Sequence, residues 1–335
     1  DASSYGNSVK NGAQIAIDEI NAAGGLNGIT FKFDMKDDMA TAEAAATGFD
    51  TLMDAGMQIS IGSVTSGSCE SFASKAAEEN LFFITPSASA ASIIANRDNA
   101  FRVCFGDPDQ GTLAAEELTK NFKNIGAIYD TSDTYSTGIF EAFDAKMKEL
   151  GATYKKESFD AENKKDFSTQ VENLKDCDVI FLPIYYTEAG LIAKVCVAKS
   201  CKAILFGCDG LDGVAGQIDD TVTNTIKYIT PFDATSTDTV TAKFVEAYKA
   251  KYNETPDQFA ADGYDVIYAI YNAMTAAGIT GNESASEICD ALKAQFATMT
   301  VDGLTGTGMH WDENGMISKA PAAVVIENGV YVPMA

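Results

Sequence analysis

The chain has 335 residues, of which 24 are Lys or Arg and 48 Asp or Glu, giving a formal net charge of −24 at pH 7. At about 150 residues per domain this length predicts two domains, and 46% hydrophobic residues suffice to give each a core. So acidic a chain excludes a general binder of nucleic acid or anionic membrane, and no apolar run approaches the roughly 18–20 residues of a membrane-spanning helix.

Val9, Ala13, Ala16, Ile17 and Ile20 follow helical spacing with Gly24-Gly25 as the stop, while residues 1–6 read as a loop. Ile29, Phe31, Phe33 and Met35 alternate with polar residues and predict a strand ending at Asp37-Asp38. A helix over 41–55, a strand over 58–62, a helix over 67–79 and a strand over 81–84 follow. After 101–105 the rhythm restarts: helices over 111–122, 136–150, 167–174 and 188–198 alternate with strands over 125–129, 153–157, 179–184, 203–207 and 226–230. Beyond Pro231 the spacing predicts helices over 239–252, 258–277 and 283–296, then short strands with turns at Asn314-Gly315 and Asn328-Gly329. Such alternation, with short apolar strands, predicts an α/β chain of two doubly wound parallel-sheet lobes. A doubly wound lobe ordinarily opens on a buried strand, and none precedes the first helix here. The start at Asp1, without Met, fits a processed or trimmed chain.

Scarce residues narrow the chemistry. His310 is the single histidine and sits beside Trp311 and a tight-turn signal, which predicts a strand-end residue rather than a general base. The seven cysteines form no C-x-x-C pair and suit apolar filling, with a local Cys196–Cys201 disulfide left open. Arg97 and Arg102 are the only arginines, so a bound anion must rely on backbone amides, hydroxyls or lysine. No metal or cofactor motif is present, and neither group is expected.

In doubly wound folds ligands gather where strands end and helices begin. There the chain places Ser63-Val64-Thr65-Ser66-Gly67-Ser68, a hydroxyl-rich entry into a helix that reads either as an N-cap or as a carboxylate cradle. Thr85-Pro86-Ser87-Ala88-Ser89 forms a second such turn. Asp130 and Tyr135 follow one strand, Tyr185-Tyr186 another, and Cys208-Asp209-Gly210 a third, where Asp209 is either a turn residue or an anionic contact. Together these groups suit a zwitterion, with its carboxylate on the serines and its ammonium on Asp209.

The order Tyr5-Gly6, Gly12 to Gly25, Asp37-Asp38, Ile61-Gly62, Thr85-Pro86, Asp107 to Gln110, Lys165 to Ser168, Gly263-Tyr264-Asp265 and Trp311 to Gly315 resembles the type I periplasmic binding proteins of the leucine/isoleucine/valine-binding family. The resemblance covers almost the whole chain and implies a non-catalytic carrier. Such a carrier takes a free amino acid to the permease subunits of an ATP-binding-cassette (ABC) transporter.

It implies that Ser66 meets the ligand carboxylate, that Ser87 and Ser89 supply a carbonyl, a hydroxyl and an amide, and that Asp209 pairs with the ammonium. Tyr135 and Tyr185 match pocket tyrosines of the second lobe, and Tyr5 one near the ligand side chain. Val64, Ala88 and Phe259 complete an uncharged lining, and Thr65 stands where some relatives carry a bridged cysteine. The family's first strand is missing from the match.

The implied lobes are 1–105 with 233–310, and 106–232 with 316–335. Crossovers are expected near 105–107, 230–232 and 306–319, with the ligand in the cleft between the lobes and closure about a hinge. A monomer is expected, in the periplasm or as a cell-surface lipoprotein of a Gram-positive bacterium. The same fold serving as a sensor or receptor ectodomain is the nearest alternative. An α/β enzyme on a small carboxylate is the other, opposed by the lone histidine and the absence of nucleophile motifs.

Overall fold

The structure, a computed structural model, describes residues 2–319, 323–327 and 330–333. The chain divides into two compact units, Asp1–Phe105 with Ala234–Ala320, and Gly106–Asp233 with Pro321–Ala335. Residues 316–320, expected in the second lobe, thus belong with the first. Ile317 joins the same buried cluster as Trp311, and Lys319 is tied to Asp262.

In the first unit, helix Ser3–Ala22 runs against helix Gln258–Ala277 at backbone distance. A Cβ on Gly12 would lie 1.8 Å from the Ala260 carbonyl oxygen, and one on Gly263 would lie 2.5 Å from that of Val9. Two of the motif glycines are therefore the condition for this packing. The helix begins at Ser3, correcting the loop expected over residues 1–6. Side-chain caps start several helices of this unit: Thr41 accepts from Ala44 N, Asp257 from Ala260 N, and Ser284 exchanges bonds with Glu287. The core stacks Phe82, Phe101, Phe296 and Trp311 around Val266, Ile270 and Leu292.

The sheet of this unit is small. Strand Phe83–Thr85 pairs in parallel with Ala100–Arg102, and the expected 58–62 strand contracts to a single bridge from Ser60 to Phe83. Residues 29–35 keep the anticipated alternation, with Ile29, Phe31 and Phe33 half-buried, but form no ladder among the described residues. On one edge Asn21 stands in for a strand neighbour: its carboxamide donates to Phe31 O at 2.9 Å and accepts from Phe31 N at 2.8 Å, taking both backbone groups that Phe31 turns to that side. Trp311 bridges Ile317 across the Asn314-Gly315 turn, where Gly315 has φ +77°. The Asn328-Gly329 turn lies outside the described residues.

The second unit is the regular one. Strands Lys155–Phe159, Ile125–Asp130, Val179–Leu182, Ile204–Gly207 and Ile226–Ile229 run in parallel in that spatial order. Ala323–Glu327 and then Val330–Pro333 extend the Ile226–Ile229 edge antiparallel. Val179–Leu182 is buried throughout, as a central parallel strand covered on both faces must be. Helix Asp107–Asn121 leads into the sheet, helices Thr134–Glu149, Ser168–Leu174 and Tyr186–Ala198 connect its strands, and Phe143 and Phe181 pack in the core with centroids 4.5 Å apart. All seven cysteines are buried thiols, so Cys196 and Cys201 form no disulfide.

Candidate functional site

The first unit carries the hydroxyl cradle. Helix Ser66–Glu78 starts straight after the extended Thr65, so its first N–H groups open toward the 63–66 turn and its positive end lies there. Thr65 and Ser68 share a hydroxyl–hydroxyl bond of 2.8 Å, and Ser68 Oγ also donates to Thr65 O at 3.0 Å. Ser68 thus closes the turn, whereas Ser66, 2% exposed, accepts from Ala90 N at 3.2 Å.

The second turn is shaped by Thr85, whose Oγ1 accepts from Ser87 N at 3.2 Å and Ala88 N at 2.9 Å. The Ala90 N–H bond to Ser66 Oγ brings Ser66 and the 87–90 turn together. Ser89 is fully buried, and its Oγ has no partner among the described residues. Ser87 and Val64 are half-buried or better covered, and Ala88 is fully buried. Tyr5 and Phe259 form their own pair, ring centroids 4.3 Å apart, and supply an aromatic surface.

The second unit carries the acidic group. Strand Ile204–Gly207 delivers Asp209 into a single 3-10 turn over Asp209–Leu211, and Asp209 is 4% exposed. Tyr135 Oη donates to Asp209 Oδ1 at 2.7 Å, and Gly210 N donates to the same oxygen at 2.9 Å. Tyr135 and Tyr185 stack with centroids 4.9 Å apart and planes 13° from parallel. Gly210 permits this: a Cβ there would lie 2.6 Å from Tyr135 Oη. Burial, with Asp209 and Asp107 as neighbouring negative charges, pushes the Cys208 thiol far up, so it remains a neutral wall.

Three groups escaped the sequence reading as parts of this chemistry. Gln110 Oε1 accepts from Asp209 N at 3.0 Å and holds the acidic turn. Arg102, buried in strand Ala100–Arg102, holds the 89–90 turn by its carbonyls. The buried pair of Lys319 Nζ and Asp262 Oδ1, 2.8 Å apart, lies in the first unit. Lys319 also donates to Thr305 Oγ1 at 2.6 Å, and Asp265 accepts from Leu304 N and Thr305 N. Burial pushes the Asp262 carboxyl up to about 6 against the pull of Lys319. An arginine inside an apolar strand was the available signal for Arg102. The other two depend on contacts between distant segments. His310 is exposed at the end of its strand, its Nδ1 2.9 Å from Ser318 Oγ. Among the described residues no group of three metal-ligating side chains forms, and no helix is long and apolar enough to cross a membrane.

The family model for periplasmic binding proteins matches residues 1–329. The Leu/Ile/Val-binding protein BraC3 of Rhizobium johnstonii is 28% identical over 303 residues, 86% of this chain and 79% of that protein. Among solved structures, the leucine-binding protein LivK of Thermotoga maritima superposes with a TM-score of 0.88 at 25% identity, over 100% of this chain and 95% of its own. LivJ of Streptococcus pneumoniae, a branched-chain amino acid transporter substrate-binding protein solved with isoleucine, gives 0.86 at 28% identity over 98% and 95%. With nearly its full length matched by the family model and by both structures, the chain belongs to the periplasmic binding protein family and carries the type I fold.

Proposed function

We propose that this protein is the extracytoplasmic substrate-binding component of an ABC transporter and captures a free, uncharged amino acid of the branched-chain type. The observation that carries the reading is chemical complementarity. One unit holds Ser66, Ser87 and Ser89 around a helix N-terminus, which suits a carboxylate. The other holds a buried Asp209 braced by Tyr135, which suits an ammonium.

A ligand carrying both charges on one carbon would engage both sets at once, and in this proposal its binding is coupled to hinge closure, with the closed form received by the permease. The domain assignment expected from sequence, with the ligand between the lobes, is part of this proposal, with the boundary moved to 320–321. Tyr5, Val64, Ala88, Phe259 and Tyr185 surround the ligand side chain with apolar and aromatic surface, which favours leucine, isoleucine or valine over charged amino acids.

Thermal shift against the twenty amino acids, followed by calorimetry on the responders, tests this. Stabilisation by branched-chain ligands with one-to-one stoichiometry is the expected result. A silent panel, or ligand consumed during the titration, would overturn it.

A further inference from the structure

Arg102 is fully buried, and among the described residues it forms no ion pair. Its guanidinium is engaged by backbone: Nη1 donates to Ser89 O and Nη2 to Ala90 O at 2.6 Å, while Nε is without a partner among the described residues. The residue is itself rigidly mounted. Its N donates to Gly315 O at 3.2 Å, its O accepts from Trp311 Nε1 at 2.7 Å, and it sits in register with Thr85. A buried guanidinium with no carboxylate beside it is costly to desolvate, which raises the question of what anion balances it.

The hydrogen bonds supply a direction. The Ser89 carbonyl and the Ala90 N–H belong to one peptide group. Its oxygen accepts from Arg102, and its N–H donates to Ser66 Oγ at 3.2 Å. In a planar trans peptide these two groups point opposite ways, so the cation at one end polarises the N–H at the other. Ser66 Oγ therefore receives a fixed donor on one side and has its own proton to give on the other. A serine held in this way favours an acceptor oxygen, above all an anionic one. Ser89 Oγ, on the same turn, adds a second hydroxyl.

We infer that Arg102 is a positioning residue for the ligand's carboxylate: through the Ser89–Ala90 peptide it sets Ser66 as a proton donor, and its buried charge makes the site select a carboxylate over a carboxamide. The inference rests on the reading that Ser66 meets the ligand carboxylate. Wild type, R102M, R102K and S66A are titrated with L-leucine and L-leucinamide at pH 6.5, where the amines of both probes are largely protonated, with the weaker ligand measured by displacement. If another of the twenty amino acids binds wild type better, that acid and its amide replace the pair.

R102M is expected to weaken leucine at least about tenfold while leaving leucinamide within about threefold, so the acid-to-amide preference collapses. R102K, which keeps the charge but cannot fork onto two carbonyls, is expected to lose at least about threefold of that preference. A merely structural arginine would weaken both probes in parallel or lower the melting temperature alone. A ratio unchanged in R102M overturns the inference, as does an unchanged ratio in R102K should R102M fail to fold. Weakened leucine binding in S66A together with an unchanged R102M ratio overturns the inference and spares the site. S66A binding like wild type, or no amino acid bound at all, overturns the site reading and the inference with it.

Discussion

Replacing Asp209 by Asn is the most direct test of the proposed ammonium contact. The substitution keeps the shape of the turn: Asn Oδ1 still accepts from Tyr135 Oη and Gly210 N, the two donors now 2.7 and 2.9 Å away. Gln110 still receives the residue's backbone N–H, which does not involve the side chain. The protein is therefore expected to fold with an unchanged melting temperature, and the loss to fall on binding. With Asp209 only 4% exposed, an ammonium paired to it is shielded from water and salt. Removing one member of such a pair costs about 2–5 kcal/mol, and the lower figure alone is about a 30-fold rise in Kd at 25 °C.

The assay is calorimetry with L-leucine and with 4-methylpentanoate, the same ligand without its amine. Wild type should bind leucine far more tightly, whereas D209N should lose at least about 30-fold for leucine and no more than about threefold for 4-methylpentanoate. Because the pair is buried, the leucine loss should persist in high salt. Equal losses for the two ligands, or leucine binding within about threefold of wild type, would refute the role assigned to Asp209.

Gly210→Ala should do comparable damage by another route. The new methyl meets Tyr135 Oη at 2.6 Å and Ile184 O at 2.9 Å, so leucine affinity should fall at least about tenfold, read by calorimetry beside a melting curve. Gly12→Ala forces a methyl against the Ala260 carbonyl at 1.8 Å and should cost the first unit at least about 1–3 kcal/mol in denaturant unfolding, followed through the fluorescence of Trp311, the only tryptophan.

A fourth prediction concerns pH. Asp262 sits near 6 in the folded unit against 3.8 as its ordinary value, and the neighbouring Asp265 is also raised by burial, with Lys319 the cation facing both. A carboxyl raised on folding binds its proton more readily in the folded state, so its contribution is greatest below the unfolded value and falls as pH rises through 6. The Asp262 share lost between pH 4 and pH 7 is on the order of 2 kcal/mol, and D262N should flatten the curve by that order. Parallel stability curves for wild type and D262N would contradict the assignment.

What could be read from the sequence divides along a physical line. The second unit was legible because its central strands are buried on both faces: Val179–Leu182 and Ile204–Gly207 appear as short apolar runs whatever their neighbours are. The turns that carry Ser89 and Asp209 were legible for a related reason, since each follows closely on an apolar strand, Phe83–Thr85 and Ile204–Gly207. The first unit was less legible because a ladder is a property of two segments. Residues 29–35 carry the alternation of a strand, yet Asn21 takes the backbone groups of Phe31 and no ladder forms on them. The supporting residues were least legible of all. Gln110 reaches Asp209 and Lys319 reaches Asp262 across long stretches of chain, and nothing local marks either pair. Arg102 is the instructive exception, because Phe101-Arg102-Val103 places a charge where the pattern demands an apolar side chain. A buried cation there has to be balanced by what surrounds it, and here the surroundings are the Ser89 and Ala90 carbonyls. A charge that breaks the pattern of a core strand is thus a signal for a neighbouring turn held by its carbonyls, and one that the amino-acid order carries on its own.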